Sequence, residues 1–415
     1  MEETHAATGG GPRGAPSPKK AWGKNNKALE EVGLSAVAIG VAVFCAALLA
    51  WLGAVVLARP GNGRGRALDV ADGDLRKVHA TATPRVGGIA VAAGIAGGVA
   101  AVWAFGEDVG SGLVLLACVA PGLVWGLIED LSKRGAVAVR LALSGVGAGL
   151  AFVLLDARIT LVDLPVIDEL LAIHAVSFAF TVFAVAGVTN AINVIDGLNG
   201  LAGVTSLFAA IGLAMVAWVV GDQFVFASAC VLAASVAGFL RVNFPSGRIF
   251  LGDGGAYLIG LTLALLSVML VQRNSQVSPW FPLVLLAYPI WETIFSMYRR
   301  KNRGRSTGEA DALHLHTLVY RRVVRWKGPR AKARDCAVRN SLASMYLWAL
   351  PAICWAFAVA FWNRSLVLQA GAVVFALVYI AAYRRIVRFR VPRSLLVRAK
   401  ADAPGVDAEE AVRHR

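Results

Sequence analysis

The sequence predicts an all-α, polytopic membrane bundle of about eleven transmembrane helices, and three observations predict it. The 415 residues are 57% hydrophobic and 16% charged, with a mean hydropathy of +0.64, whereas a soluble domain carries nearer a quarter charged residues. Apolar windows of roughly 17 to 25 residues, long enough to cross a bilayer as helices, recur along the chain. The cations lie almost wholly on one set of loops, as the positive-inside rule requires. Strands of a β-barrel are shorter and alternate in polarity, which these windows do not.

In chain order, residues 1–33 are rich in Gly, Pro, Ala and Lys and read as a disordered tail. They are not a cleaved signal peptide, because the first apolar run is too long and starts too far in. Windows follow at 34–58, 86–105, 112–128, 140–155, 171–189, 201–220, 224–240, 255–272, 280–298, 343–362 and 366–383. They make 34–383 a single integral membrane domain and leave 384–415 as a basic cytoplasmic tail within reach of anionic lipid headgroups. With residues 59–85 taken as cytoplasmic, the loops on that side hold 33 Lys and Arg. The opposite loops hold Arg158, Arg273 and Arg364. An odd number of spans puts the N-terminus outside. Arg13, Lys19, Lys20, Lys24 and Lys27 then either are tolerated there or mark a span count off by one. The same placement turns the net charge of +15 away from nucleic acid and toward the membrane. Cys45, Cys118, Cys230, Cys336 and Cys354 form no CxxC pair and are assigned no disulfide and no metal. No internal repeat is visible, and glycines inside spans (Gly94, Gly97 and Gly98) fit close helix packing.

With this topology the unusual polar motifs gather on one face. Lys77-Val-His79 to Arg85 is followed by Gly87 and Gly88. Next come Glu129-Asp130-Leu-Ser-Lys133, then Asn190 to Gly200, then Gly252-Asp253-Gly254-Gly255, and last His314-Leu-His316-Thr317. Each has a bland reading. The acidic pair ends a helix, Asp253 caps one, and the histidines and cations are solvated surface. The Asn190–Gly200 segment resists it, because three Asn, one Asp and two Gly between apolar windows would each be costly in lipid. Five motifs on one face read as one composite site. Asn193 and Asp253 are hard oxygen ligands of the kind Mg²⁺ takes beside substrate phosphates. Lys77, Arg85 and Lys133 supply positive charge for phosphates. Glu129 and Asp130 can take a proton from, or orient, an attacking phosphate oxygen. This reads as phosphoryl transfer at a membrane surface.

The motifs NAINVIDGLNG at 190–200 and FLGDGGAYLIG at 250–260, with KVHATATPRVGG at 77–88 and the acidic pair at 129–130, resemble the polyprenyl-phosphate N-acetylhexosamine-1-phosphate transferases. The resemblance runs from about Lys77 to Tyr320. It implies a helical bundle of the bacterial inner membrane with its active site facing the cytoplasm. There, Mg²⁺-dependent attack (Mn²⁺ as the substitute ion) by undecaprenyl or another polyprenyl phosphate on a UDP-N-acetylhexosamine gives a polyprenyl-diphospho-sugar and UMP. Such a product initiates an O-antigen, capsule or other envelope glycan. By position, Asn193 and Asp253 resemble the metal ligands. Glu129 and Asp130 stand where the family has an Asp-Asp pair that engages the lipid phosphate. Lys133 resembles a phosphate contact, Asn199 a residue near the uracil, and Asp196 a member of the third acidic motif. Lys77, His79, Arg85 and Asn190 fall among the substrate contacts, and His314 and His316 in the cytoplasmic histidine motif. A homodimer is a further expected partnership. The chain departs from the pattern at Glu129, in place of Asp, and at Thr317, where many relatives have a further His. Absence of the consecutive histidines favours a simple UDP-N-acetylhexosamine over the phospho-MurNAc-pentapeptide translocase alternative. A secondary transporter with broken helices and an inactive scaffold are the readings from other classes.

Overall fold

The computed structural model describes residues 36–59, 68–69, 83–105, 110–133, 135–302, 304, 313–327, 333–388 and 397–400, so Lys77 and His79 lie outside the described residues. Its elements are almost all helical. In chain order they are α1 (Ala36–Leu57), α2 (Gly87–Ala104), α3 (Gly110–Ser132), α4 (Val137–Leu154), the short α5 (Pro165–Leu171), α6 (His174–Ile195), α7 (Leu201–Val220), α8 (Gln223–Asn243) and α9 (Gly252–Arg273). They continue with α10 (Trp280–Leu285), α11 (Ala287–Lys301), the single turn α12 (Leu315–Leu318), α13 (Ala333–Leu347), α14 (Ala349–Ala360) and α15 (Ser365–Val387). A π-helical segment (Val319–Val323) and two short strand pairs complete the described chain. Leu68–Asp69 runs antiparallel to Thr83–Pro84, and Val324–Lys327 parallel to Val397–Lys400.

Among the described residues, ten segments are long and apolar enough to cross a membrane. The chain is a multi-pass membrane protein. Those ten coincide with ten of the eleven expected windows, α13 and α14 together forming one. The eleventh, 280–298, is divided into α10 and α11, neither long enough alone. Proline explains both divisions. A proline ring clashes with the carbonyl four residues before it. Pro289 addresses Leu285, the last residue of α10, and Pro351 addresses Leu347, the last residue of α13. The α10–α11 pair still runs from one end of the bundle to the other. Trp280 Nε1 donates to Val162 O at 2.9 Å at one end, and Arg299 Nη1 to Leu313 O at 3.0 Å at the other.

The core forms around α9. Of its apolar window 89% is buried, against 17% for the peripheral α15, and it packs on α2, α3, α6, α7 and α8. On α1, Ala38, Ala42, Ala46, Ala50 and Ala54 are buried at a spacing of four. That small-residue stripe meets Gly94 of α2 and Gly238 of α8, where an added Cβ would strike the α1 backbone. Close backbone approach of this kind supplies packing where the lipid offers no hydrophobic drive between helices.

Candidate active site

The same device sets the site. At the N-terminus of α9, Gly254 and Gly255 sit backbone to backbone with two other helices. A Cβ on Gly88 would run into Gly255, and one on Gly126 into Gly254. Strand-like bonds tie the preceding segments together, with Gly87 N–H donating to Phe250 O and Gly88 N–H to Leu251 O, both at 2.9 Å. Gly252 turns the chain into α9 at φ +75°, a conformation that costs an L side chain and that glycine adopts freely. Its own added Cβ would strike Arg85 O and crowd the Asp130 carboxylate.

Asp130, at the end of α3, closes this corner. Its fully buried carboxylate accepts the backbone N–H of Asp253 at Oδ1 and of Gly254 at Oδ2, both at 3.0 Å. An anion on the first N–H groups of a helix is favoured by the helix dipole as well as by the bonds. Arg85 completes the pairing, with Nε 3.3 Å from Asp130 Oδ1 and Nη2 3.4 Å from Asp253 Oδ2. The expected attacker's partner is therefore engaged by the chain's own backbone.

Asp253, in the first turn of α9, is more open. Its Oδ1 accepts the Asn193 side-chain amide at 2.7 Å, which joins the two most specific motifs. Beyond Asn193 stands Arg140, whose Nη1 lies 3.5 Å from Asn193 Oδ1 and Nη2 3.4 Å from Glu129 Oε1. Glu129 Oε2 and Arg140 Nε are buried without a hydrogen-bond partner among the described residues. Gly135 makes room for Glu129, because a Cβ there would occupy the carboxylate's position. Tyr257, one turn beyond Asp253, is buried within the electrostatic reach of Arg140 and Glu129.

Among the described residues no three His, Cys, Asp or Glu side chains converge to hold a metal ion by themselves. The donor set fits a cation that shares its shell with substrate. Asp253 offers a carboxylate, and a half-turn of the Asn193 amide would set a second oxygen beside it. Mg²⁺ is bound in this way, through one or two protein oxygens, waters and phosphates.

Asp196 follows α6 and is half-buried. Burial pushes its carboxyl up to about 7. Arg85 opposes the rise, and Asp253 and Asp130 add to it. A carboxyl raised on folding binds a proton in the folded protein between about pH 3.8 and about pH 7 that the unfolded chain does not hold. Its contribution to stability is complete below the lower value and is lost as pH rises through the upper one. We expect the melting temperature in detergent to fall more steeply between about pH 5.5 and about pH 8 for wild type than for Asp196→Asn. Parallel slopes would remove Asp196 as the source.

The other expected residues divide. Asn190 lies half-buried on α6, one turn before Asn193. Lys133 is exposed at φ +55°, just past the end of α3. Asn199 is built into the scaffold. Its backbone N–H donates to Asn340 Oδ1 at 2.8 Å and its side-chain amide to Pro245 O at 3.2 Å. His316 packs on Gly197, where a Cβ would meet its Nε2, and its ring stacks on that of His314 at 5.4 Å. His314 Nδ1 in turn meets Glu292 Oε1 at 3.0 Å. Sequence reading missed Arg140, Tyr257 and Glu292. Arg140 and Glu292 are each the single charged residue of an apolar window, and Tyr257 is one of several polar residues in its own. An ionisable group at membrane depth is itself the signal that finds Arg140 and Glu292.

A family model described as glycosyl transferase family 4 matches residues 112–271. The chain is similar to the probable undecaprenyl-phosphate N-acetylglucosaminyl 1-phosphate transferase of Bacillus subtilis, 30% identical over 245 residues that make 58% of this chain and 66% of the relative. It is similar also to the decaprenyl-phosphate N-acetylglucosaminephosphotransferase of Mycobacterium tuberculosis, 31% identical over 270 residues with the same coverage, 58% and 66%. The Mycobacterium leprae protein of that name is 30% identical over 270 residues, covering 58% of this chain and 67% of the relative. The matched region spans just under two thirds of the Bacillus and tuberculosis relatives.

Proposed function

This chain belongs to glycosyl transferase family 4, and on that premise we propose that it transfers an N-acetylhexosamine-1-phosphate from a UDP-sugar to undecaprenyl or another polyprenyl phosphate. The products are a polyprenyl-diphospho-sugar, the first intermediate of a cell-envelope glycan, and UMP. The proposed setting is the bacterial inner membrane, with the site facing the cytoplasm. The observation that carries this reading is the contact of Asp253 with Asn193, flanked by Arg85 on one side and Arg140 on the other. The relatives' names pair a polyprenyl phosphate with an N-acetylglucosaminyl phosphate, which puts UDP-N-acetylglucosamine first among donors to try.

The reaction brings together a donor diphosphate and an acceptor phosphate, so the site must offset several negative charges. Arg85 and Arg140 bring two guanidinium groups to Asp253 and Asn193, while the positive end of α9 is already met by the Asp130 carboxylate. Mg²⁺, held by Asp253 and Asn193, would supply further charge neutralisation on the diphosphate when bound, and Mn²⁺ could replace it. An acceptor phosphate oxygen forms the new bond to the sugar-bearing phosphorus. The bond from that phosphorus to the bridging oxygen breaks, and the bridging oxygen leaves on UMP. Glu129 Oε2, buried and unbonded among the described residues, is the candidate acceptor for a proton on the attacking phosphate. Lys77, His79, Lys133 and the histidine motif remain proposed contacts to substrate.

The test is UMP release by purified protein in detergent with undecaprenyl phosphate, Mg²⁺ and one UDP-N-acetylhexosamine at a time. Release that requires lipid and is abolished by EDTA is expected. Folded protein that releases no UMP with any donor, or releases it without lipid, overturns the reading.

A further inference from the structure

Glu292 lies in the second turn of α11 and is 1% exposed inside an apolar bundle. A carboxylate in such surroundings is costly unless its oxygens are fully engaged, and here donors from two other segments engage them. Oε1 meets His314 Nδ1 and accepts the Leu315 backbone N–H, both at 3.0 Å. Oε2 accepts the Tyr379 hydroxyl of α15 at 2.5 Å. Seven residues on, along the same face of α11, Arg299 donates to Leu313 O at 3.0 Å and to the Tyr383 hydroxyl at 2.8 Å. Tyr383 lies one turn beyond Tyr379. The two helices thus grip both ends of Leu313–Leu315, and Glu292 holds the His314 ring between them directly. That ring stacks on His316, which packs on Gly197 within the motif that carries Asn193.

We propose that Glu292 is a positioning residue for the transfer reaction. It accepts the proton-bearing Nδ1 of His314 and fixes the ring's tautomer and plane, and so sets how that ring is presented to the nucleotide sugar. The proposal rests on the reading of this face as the transferase site. A carboxylate that fixes one imidazole nitrogen determines which nitrogen is left for a ligand. Tyr379 and the Leu315 N–H hold the carboxylate still, so α15, outside the region that matches the family model, takes part in donor binding.

Glu292→Gln keeps the shape but replaces one acceptor oxygen with a donor. The expected result is a rise of about tenfold in KM for the UDP-sugar, the scale of one lost charge-assisted hydrogen bond. The kcat and the KM for undecaprenyl phosphate should stay within about twofold of wild type. Glu292→Gln combined with His314→Ala should be no worse than His314→Ala alone, because the first acts only through the second. Nitrogen-15 spectra of histidine-labelled protein should show the Nδ1–H signature of His314 in wild type and lose it in Glu292→Gln. Tyr379→Phe, which removes one donor and keeps the ring, should reproduce the KM effect in smaller degree. Full additivity with His314→Ala, or an equal fall in every kinetic constant together with a lower melting temperature, would reduce Glu292 to a structural residue. An unchanged Nδ1–H signal in Glu292→Gln would also sink the proposal. If the wild-type protein transfers nothing, the parent reading fails, while the spectra still decide whether Glu292 sets the tautomer.

Discussion

Asp253→Asn lowers kcat by at least about a thousandfold, the scale of losing a charged group aimed at the transferring phosphoryl, and leaves the protein folded. The fold is spared because the links that place α9 are made by the Asp253 and Gly254 backbone to Asp130, and an Asn at 253 preserves them. The side chain itself is partly exposed, and its two oxygens face Asn193 and Arg85. An amide can still accept from either, so geometry changes little while the negative charge disappears. With the charge goes most of the hold on a divalent cation, since two neutral amide oxygens bind it far more weakly, so raising Mg²⁺ should restore little of the rate. The check is a comparison of UMP release and detergent melting for wild type and variant over a range of Mg²⁺. Turnover within tenfold of wild type would take the Asp253 carboxylate out of the chemistry. A large fall in melting temperature would show instead that it holds the corner together.

The bundle was legible in the sequence because lipid imposes one rule on every span, a long apolar run. Ten windows matched on that rule alone. The window 280–298 obeyed it in composition yet divides at Leu286, because Pro289 acts on backbone geometry that a hydropathy window ignores. The Asn193–Asp253 contact was legible for the opposite reason. Polar residues at span ends among glycines have few structural excuses, and the glycines themselves turn out to be the close-approach points of α2, α3 and α9. Arg140 and Glu292 were hidden by averaging, one charge in an otherwise apolar window. Asp130 and Asn199 were visible as polar residues, but a sequence does not reveal whether a side chain's hydrogen bonds are spent on the chain's own backbone. Theirs are. Residue type signals capacity, and only the fold decides whether a ligand or a loop uses it.

That distinction separates the two neighbouring acids, and one pair of variants tests it. Asp130→Asn leaves one acceptor oxygen for two buried backbone N–H groups and turns an NH₂ toward the other. The unsatisfied N–H costs about 1–3 kcal/mol. Weakening of the Arg85 pair and of the helix-terminal charge adds to that. We therefore expect the melting temperature to drop by several degrees together with a rate loss of about a hundredfold, the scale of a catalytic group displaced by an ångström. Glu129→Gln has a different signature. The amide oxygen can remain beside Arg140, and the Oε2 position has no partner to lose among the described residues. Its melting temperature should hold while the rate falls by about a hundredfold or more, as for removal of a general base. Melting temperature and rate should then move together at 130 and separately at 129. Were Asp130→Asn to keep full stability and lose all transfer, its carboxylate would be a chemical participant and the backbone bonds incidental. Were Glu129→Gln to transfer at the wild-type rate, the proton would have to leave by another group. Asp196, held near neutrality by its burial, is the next carboxylate in that cluster.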